Sequence, residues 1–339
     1  MKKKSFVSLA VMICVALSGL FFTALPGQAK ETFKFRLATH YNTEHPGYAA
    51  LMRAVKEVEK KTNGGIQIKV FPSSQLGDYT VTYEDMMHGA VDMALIPVPS
   101  QYDSKLEMNF VPYLASSYKE LPKAFGPSSY FFKHYGAVHD KLGVRLLGMY
   151  VEGLIGIAFG KKLPANYNVA NLPKAAKVRA PAIEVYNLVL QDMGFGATTI
   201  PYADLYSSLQ TGVCDGAIGL TPQLAYSDFR DIISYYVTYN VFAENIGFFI
   251  SKKSYEKLPA DYKKIVDDAF MKEALNSYKV AEQLDSQAMK NLAKYGVKII
   301  NLKPAEMKAY VDQVKKKTWP KLNKNIGAEN LKGLIDQMK

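Results

Sequence analysis

The chain of 339 residues holds 42 Lys and Arg against 31 Asp and Glu, a formal net charge of +11 at pH 7, with 2 cysteines. Its basic residues are scattered as Lys161-Lys162, Lys252-Lys253, Lys263-Lys264 and Lys315-Lys316-Lys317, without the interleaved aromatics of a nucleic-acid groove, so a nucleic-acid partner is excluded and a mildly anion-favouring surface remains. One cysteine, Cys14, lies in the N-terminal apolar run, which excludes a disulfide framework and a cysteine metal cluster.

Lys2, Lys3 and Lys4 precede an uncharged apolar run from Phe6 to Leu25, and the small residues of Gly27-Gln28-Ala29 follow. That is the three-part pattern of a secretory signal peptide over residues 1–29, with cleavage expected after Ala29. The run approaches the length of a membrane span, but the small residues and the return of charge at Lys30 favour cleavage. Loss of this segment takes three lysines and no acid and lowers the net charge to +8. The expected mature protein is exported and soluble, with Cys214 its one thiol, and its length suffices for two lobes.

From Phe33 onward, strand-like and helix-like segments alternate. Phe33, Phe35 and Leu37 repeat with a period of two, as do Ile66, Ile68 and Val70. Between them His45–Thr62 carries apolar residues at helical spacing, and Asn63-Gly64-Gly65 stops it. Further strands are predicted at Met93–Ile96, Arg145–Met149, Ile155–Phe159, Lys177–Ala180, Ala217–Leu220, Gly247–Ile250 and Val297–Ile300. This alternation predicts an α/β fold with largely parallel sheets. Gly89-Ala90-Val91-Asp92-Met93-Ala94 echoes Gly212-Val213-Cys214-Asp215-Gly216-Ala217, each after an amphipathic helix and before a strand, which suggests two lobes of similar plan. Pro259 to Tyr295 reads as one unbroken helix ended by Gly296. At about 1.5 Å per residue it extends roughly 55 Å, enough to lie across both lobes.

Catalytic patterns are missing. His40, His45, His88, His134 and His139 form no H-E-x-x-H arrangement, so no metal is expected. Gly156 to Gly160 before Lys161-Lys162 lacks the spacing and the Ser or Thr of a phosphate loop. No G-x-S-x-G elbow occurs, and no cofactor or enzymatic activity is expected. The segment with a signal is Lys177-Val178-Arg179-Ala180-Pro181. It places Arg179 at the C-terminal end of a short strand, the edge where open α/β sheets bind ligands. There the guanidinium offers a charged fork to a carboxylate, or pairs with a neighbouring acid.

This segment and others, in order along the chain, resemble the substrate-binding proteins of tripartite ATP-independent periplasmic (TRAP) transporters. That family's Arg-Val-Pro pattern reappears around Arg179, and its Leu-Gln-x-Gly-x-x-Asp-Gly as Leu209 to Gly216. Glu59 to Gly64, Phe71-Pro72-Ser73-Ser74-Gln75-Leu76-Gly77, Gly89 to Asp92 and Tyr255 to Pro259 match as well. The resemblance implies a periplasmic, two-lobed binding protein with hinged lobes, which hands a small organic carboxylate to small and large membrane subunits. Lobe I is expected over 30–153 plus about 242–283, and lobe II over 154–241 plus about 284–339, in a monomer. It gives Arg179 the substrate carboxylate and Tyr202 a place against the ligand. Glu152, His40, Tyr41, Tyr79 and Asn245 complete the candidate set, with Tyr150 and Phe248 near the expected pocket loops.

Two departures bear on the ligand. Many members of that family carry a second arginine where this chain has Ile155. Many have Asp-Gly-Gln-Glu-Asn-Pro where it has Asp215-Gly216-Ala217-Ile218-Gly219-Leu220. Both losses point to a less polar pocket and a monocarboxylate with an apolar or aromatic body. Glu152 either binds an amino or hydroxyl group of that ligand or is surface charge. The rival reading is an amino-acid-binding protein of an ATP-driven importer.

Overall fold

A computed structural model describes residues 32–339, so the expected signal peptide lies outside the described residues. Eleven strands follow in chain order among the described residues. They are β1 (Phe33–Thr39), β2 (Ile66–Phe71), β3 (Met93–Ile96), β4 (Val144–Leu154), β5 (Gly156–Phe159) and β6 (Lys177–Ala180). The others are β7 (Gly196–Thr199), β8 (Gly216–Leu220), β9 (Tyr235–Val237), β10 (Ala243–Ser251) and β11 (Lys298–Ile300). One sheet has the order β2-β1-β3-β10-β4 and the other β11-β9-β5-β8-β6-β7. Each is the core of one lobe, with helices packed on it.

The sheets are mixed rather than largely parallel. β1 pairs in parallel with β2 and β3, but β10 is antiparallel to both β3 and β4. In the second sheet β5 is antiparallel to β8 and β9. The cause is the way the chain changes sheets. Parallel neighbours need a crossover connection, whereas here β4 passes into β5 through Ile155 alone and β9 returns into β10 through a short link. The two crossings hold each other: Ile155 N–H donates to Phe242 O at 2.8 Å, and Val241 N–H donates to Ile155 O at 3.0 Å. These paired links form the hinge, and Ile155 is wholly buried within it.

The long helix runs over Ala260–Tyr295 and ends at Gly296 in the left-handed conformation (φ 110°). Val266, Phe270, Ala274, Ser277, Ala281, Asp285, Ala288 and Leu292 form its buried stripe, spaced three or four residues apart. It packs on β4 and the helix Pro46–Lys61 in the first lobe, and on the helix Pro222–Phe229 and β11 in the second. Its approach to the hinge is close: a Cβ added at Gly153 would overlap the Asp285 carboxylate. Asp285 there accepts from Leu154 N–H (3.0 Å), Tyr118 O–H (2.6 Å) and the Gln223 amide (3.1 Å).

Candidate functional site

Between the sheets lies a cleft that encloses a cavity of about 30 Å³. His40, Tyr79, Pro97, Glu152 and Glu244 line it from the first lobe, and Arg179, Pro181, Ile183, Tyr186, Tyr202, Gly219 and Leu224 from the second. Of the residues singled out in the sequence, Arg179, Tyr202, Glu152, His40 and Tyr79 therefore meet around one space.

Arg179 ends up here because β6 is short and Pro181 breaks it, leaving the side chain at the strand's C-terminal edge. Only 1% of it is exposed. Nε donates to Ile200 O at 2.9 Å and Nη1 reaches Ile218 O at 3.5 Å, while Nη2 has no partner. Among the described residues no acid forms an ion pair with it. Burial, the largest influence, pulls its pKa below the ordinary value, partly countered by Tyr79 and Tyr202. Beside it Gly219 adopts φ +86°, where any other residue would be strained and its Cβ would lie 3.7 Å from Nη1.

Glu152, near the end of β4, is wholly buried. Tyr41 O–H donates to its Oε2 at 2.6 Å and Thr221 O–H donates to its Oε1. His45 is the N-cap of the helix Pro46–Lys61, and its Nδ1 accepts from Gly47 N–H at 3.0 Å. That bond puts the ring proton on Nε2, which faces Glu152 Oε1 at 3.6 Å. The separation is too long for a hydrogen bond, so His45 acts on Glu152 through the field of that N–H. Burial works to raise the Glu152 pKa, but His45, Thr221 and Tyr41 together hold it below the ordinary value. Glu152 is therefore an internal carboxylate rather than surface charge.

The aromatic wall is built from both lobes. Tyr202 O–H donates to Asp228 at 2.5 Å, and Asp228 also accepts from Asn42 at 2.6 Å. Its hydroxyl thus engaged, Tyr202 turns its ring to the cleft, edge-on to His40 at 5.4 Å. Tyr79 O–H accepts from Ala182 N–H at 2.8 Å, and Tyr202 N–H donates to Asp78 at 3.1 Å. Burial drives the His40 pKa down to about 4, so this imidazole is neutral at neutral pH. With Arg230–Glu44 at 3.1 Å, these contacts tie the lobes together across the cleft.

Two candidates stand back from the space. Tyr41 does not line it; stacked on His45 at 3.9 Å, it acts through Glu152. Asn245 is buried on β10, with its carbonyl accepting from Asn109 at 2.9 Å, and its neighbour Glu244 faces the cleft instead. Tyr150 and Phe248 are core residues. The sequence reading omitted Glu244 and Tyr186. Strand alternation sends 244 and 245 to opposite faces, and the irregularity in pairing with β4 between these two residues hides which one turns inward. Tyr186 had a usable signal, a helix beginning directly after Pro181 at the ligand edge. Among the described residues no group of three His, Cys, Asp or Glu is placed to hold a metal, and no helix is long and apolar enough to cross a membrane.

A family model described as bacterial extracellular solute-binding protein, family 7, matches residues 37–325. A solute-binding protein of Albidiferax ferrireducens is 26% identical over 285 residues, covering 81% of this chain and 79% of that one. The C4-dicarboxylate-binding periplasmic protein DctP of Rhodobacter capsulatus is 23% identical over 284 residues, covering 80% and 81%. Among solved structures, a TRAP periplasmic solute-binding protein of Desulfovibrio salexigens with bound orotic acid superposes with a TM-score of 0.81 at 22% identity. The match covers 91% of this chain and 99% of that one, a likeness of fold.

Proposed function

The chain belongs to the bacterial extracellular solute-binding proteins of family 7, and on that footing we propose that it closes on a small organic carboxylate and delivers it to the two membrane subunits of a TRAP transporter. Membership makes it a binding component and not an enzyme, and it leaves the ATP-driven importer without support. The reading places it in the periplasm as a monomer.

Arg179 carries this reading. A buried guanidinium with a free Nη2 and, among the described residues, no ion-paired acid is costly to hold. A carboxylate arriving in the cleft supplies the missing charge and matches the planar fork. The lobes are taken as 30–153 with about 242–283, and 154–241 with about 284–339. Closure about the hinge brings Asn42 to Asp228, Asp78 to Tyr202 and Tyr79 to Ala182, and a ligand favours the closed state through contacts made only there.

The lining favours a monocarboxylate. Glu152 is ionised, His40 is neutral, and the family's second arginine is replaced by Ile155 in the hinge, so a second ligand carboxylate meets no cation. Orotic acid, bound by the Desulfovibrio salexigens protein, also has one carboxyl on an aromatic body. Pro97, Pro181, Ile183 and Leu224 with the tyrosine rings support an apolar or aromatic portion on one side of the ligand. The test is calorimetry of the mature protein against a panel of organic acids, beside Arg179→Ala. An acid that binds the parent and not the variant is the expected result; equal binding to both would remove Arg179 from the site.

A further inference from the structure

Glu244 is a cleft residue without a firm partner. It comes from β10 opposite Gly153 and is only 6% exposed. Its one hydrogen bond is a long one from Tyr186 O–H, at 3.5 Å. It joins no ion pair among the described residues. Burial, and after it the charge on Glu152, pushes its carboxyl well above the usual range, against smaller opposing pulls from the Tyr186 hydroxyl and the Arg179 charge. Buried polar groups ordinarily have firm partners, and one without them is a cost that a ligand can remove.

We propose that Glu244 is the second anchor of the cleft and receives a hydrogen-bond donor, a hydroxyl or an ammonium, carried by the same ligand whose carboxylate Arg179 holds. This rests on the reading of Arg179 given above. Three kinds of ligand group can face Glu244. A methyl leaves it unmatched. A second carboxylate meets an acid with Glu152 ionised nearby and the cleft's one guanidinium already engaged. A donor satisfies it. A hydroxyl does so in either protonation state of Glu244, since it both gives and accepts; an ammonium requires the ionised form and brings the compensating charge. The ligand class is therefore a donor-bearing monocarboxylate, with its apolar surface against Pro181, Ile183 and Leu224.

The test uses acids of equal length that differ at one group: butyrate, 4-hydroxybutyrate, 4-aminobutyrate and succinate, their five-carbon counterparts, and the 2-hydroxy and 2-amino acids of each length. Binding is measured by calorimetry on the full mature protein, on Glu244→Leu and on Arg179→Ala. A donor-bearing acid is expected to bind about tenfold or more tighter than its methyl and dicarboxylate analogues, the scale of one unmatched buried polar group. Glu244→Leu, which removes both the acceptor and the donor, should collapse that preference while still binding the methyl-ended acid. The order of hydroxyl and ammonium identifies the donor. Succinate or glutarate as the tightest ligand, or a donor preference unchanged in Glu244→Leu, overturns the proposal while leaving Arg179 in place. Binding that survives Arg179→Ala overturns the carboxylate reading itself, a separate failure that takes the second anchor with it.

Discussion

Thr221 gives its hydroxyl proton across the cleft to Glu152, while the same oxygen accepts from Leu224 N–H at 3.2 Å as the N-cap of the helix Pro222–Phe229. One hydroxyl thus both starts a helix of the second lobe and holds a buried carboxylate of the first. The helix N-terminus adds a field that favours the negative charge.

Thr221→Val keeps the shape and removes both bonds. The lost cap costs about 1 kcal/mol, and the missing donor to a buried carboxylate costs about 1–3 kcal/mol more. Thr221→Ser should recover most of the loss. Urea unfolding followed by circular dichroism reads the three proteins, and equal stability of the valine and serine forms would show that the hydroxyl contributes nothing.

Arg179→Lys retains the charge and loses the fork. Lysine presents a compact ammonium that cannot make two parallel bonds to a carboxylate, and in this variant the bond from Nε to Ile200 O is also gone. Affinity for the best acid should fall at least about tenfold, that is by about 1.4 kcal/mol or more. The ligand-free protein should keep its melting temperature within a few degrees, since a buried unpaired charge is replaced by one of the same sign. Calorimetry that finds the lysine form binding within twofold of the parent would mean that charge alone suffices.

Much of this was legible in the sequence, for identifiable reasons. The long helix was marked by Pro259 and Gly296, two residues whose backbone preferences act locally. β1 and β2 were marked by alternation, since each has one face against the core. Arg179 was marked by a strand, a charge and a proline within three residues. Local signals failed where long-range pairing decides. β7 and β9 carry little pattern of their own, the three-residue β9 existing because β5 and β11 flank it. The antiparallel β10 depends on where the chain crosses the hinge, and Glu244 depends on an irregularity in that strand's pairing. The clasp of His45, Tyr41 and Thr221 on Glu152 joins residues far apart in the chain, so no spacing announces it.

Asp285 supplies a prediction about pH. It is wholly buried on the long helix, and burial, the largest influence, raises its pKa from 3.8 to about 7 against the bonds from Tyr118, Gln223 and Leu154. The folded chain therefore keeps a proton between about pH 4 and pH 7 that the unfolded chain has released. Where the unfolded state binds fewer protons, stability falls as pH rises. This one group should weaken the fold across that window by a few kcal/mol, since each pH unit between the two pKa values contributes about 1.4 kcal/mol. Glu244, Asp228 and Glu107 are also raised and act in the same direction, so the parent's profile alone does not isolate Asp285. Asp285→Asn does. Its amide oxygen still accepts from Tyr118 and Leu154, its nitrogen faces the Gln223 side chain, whose Oε1 has no partner, and it cannot ionise. The stability of the variant relative to the parent should rise steadily from about pH 4.5 to pH 7 and level off above it, in urea unfolding at matched ionic strength. Two parallel profiles would mean that Asp285 is ionised throughout, and that its three donors outweigh burial at the hinge.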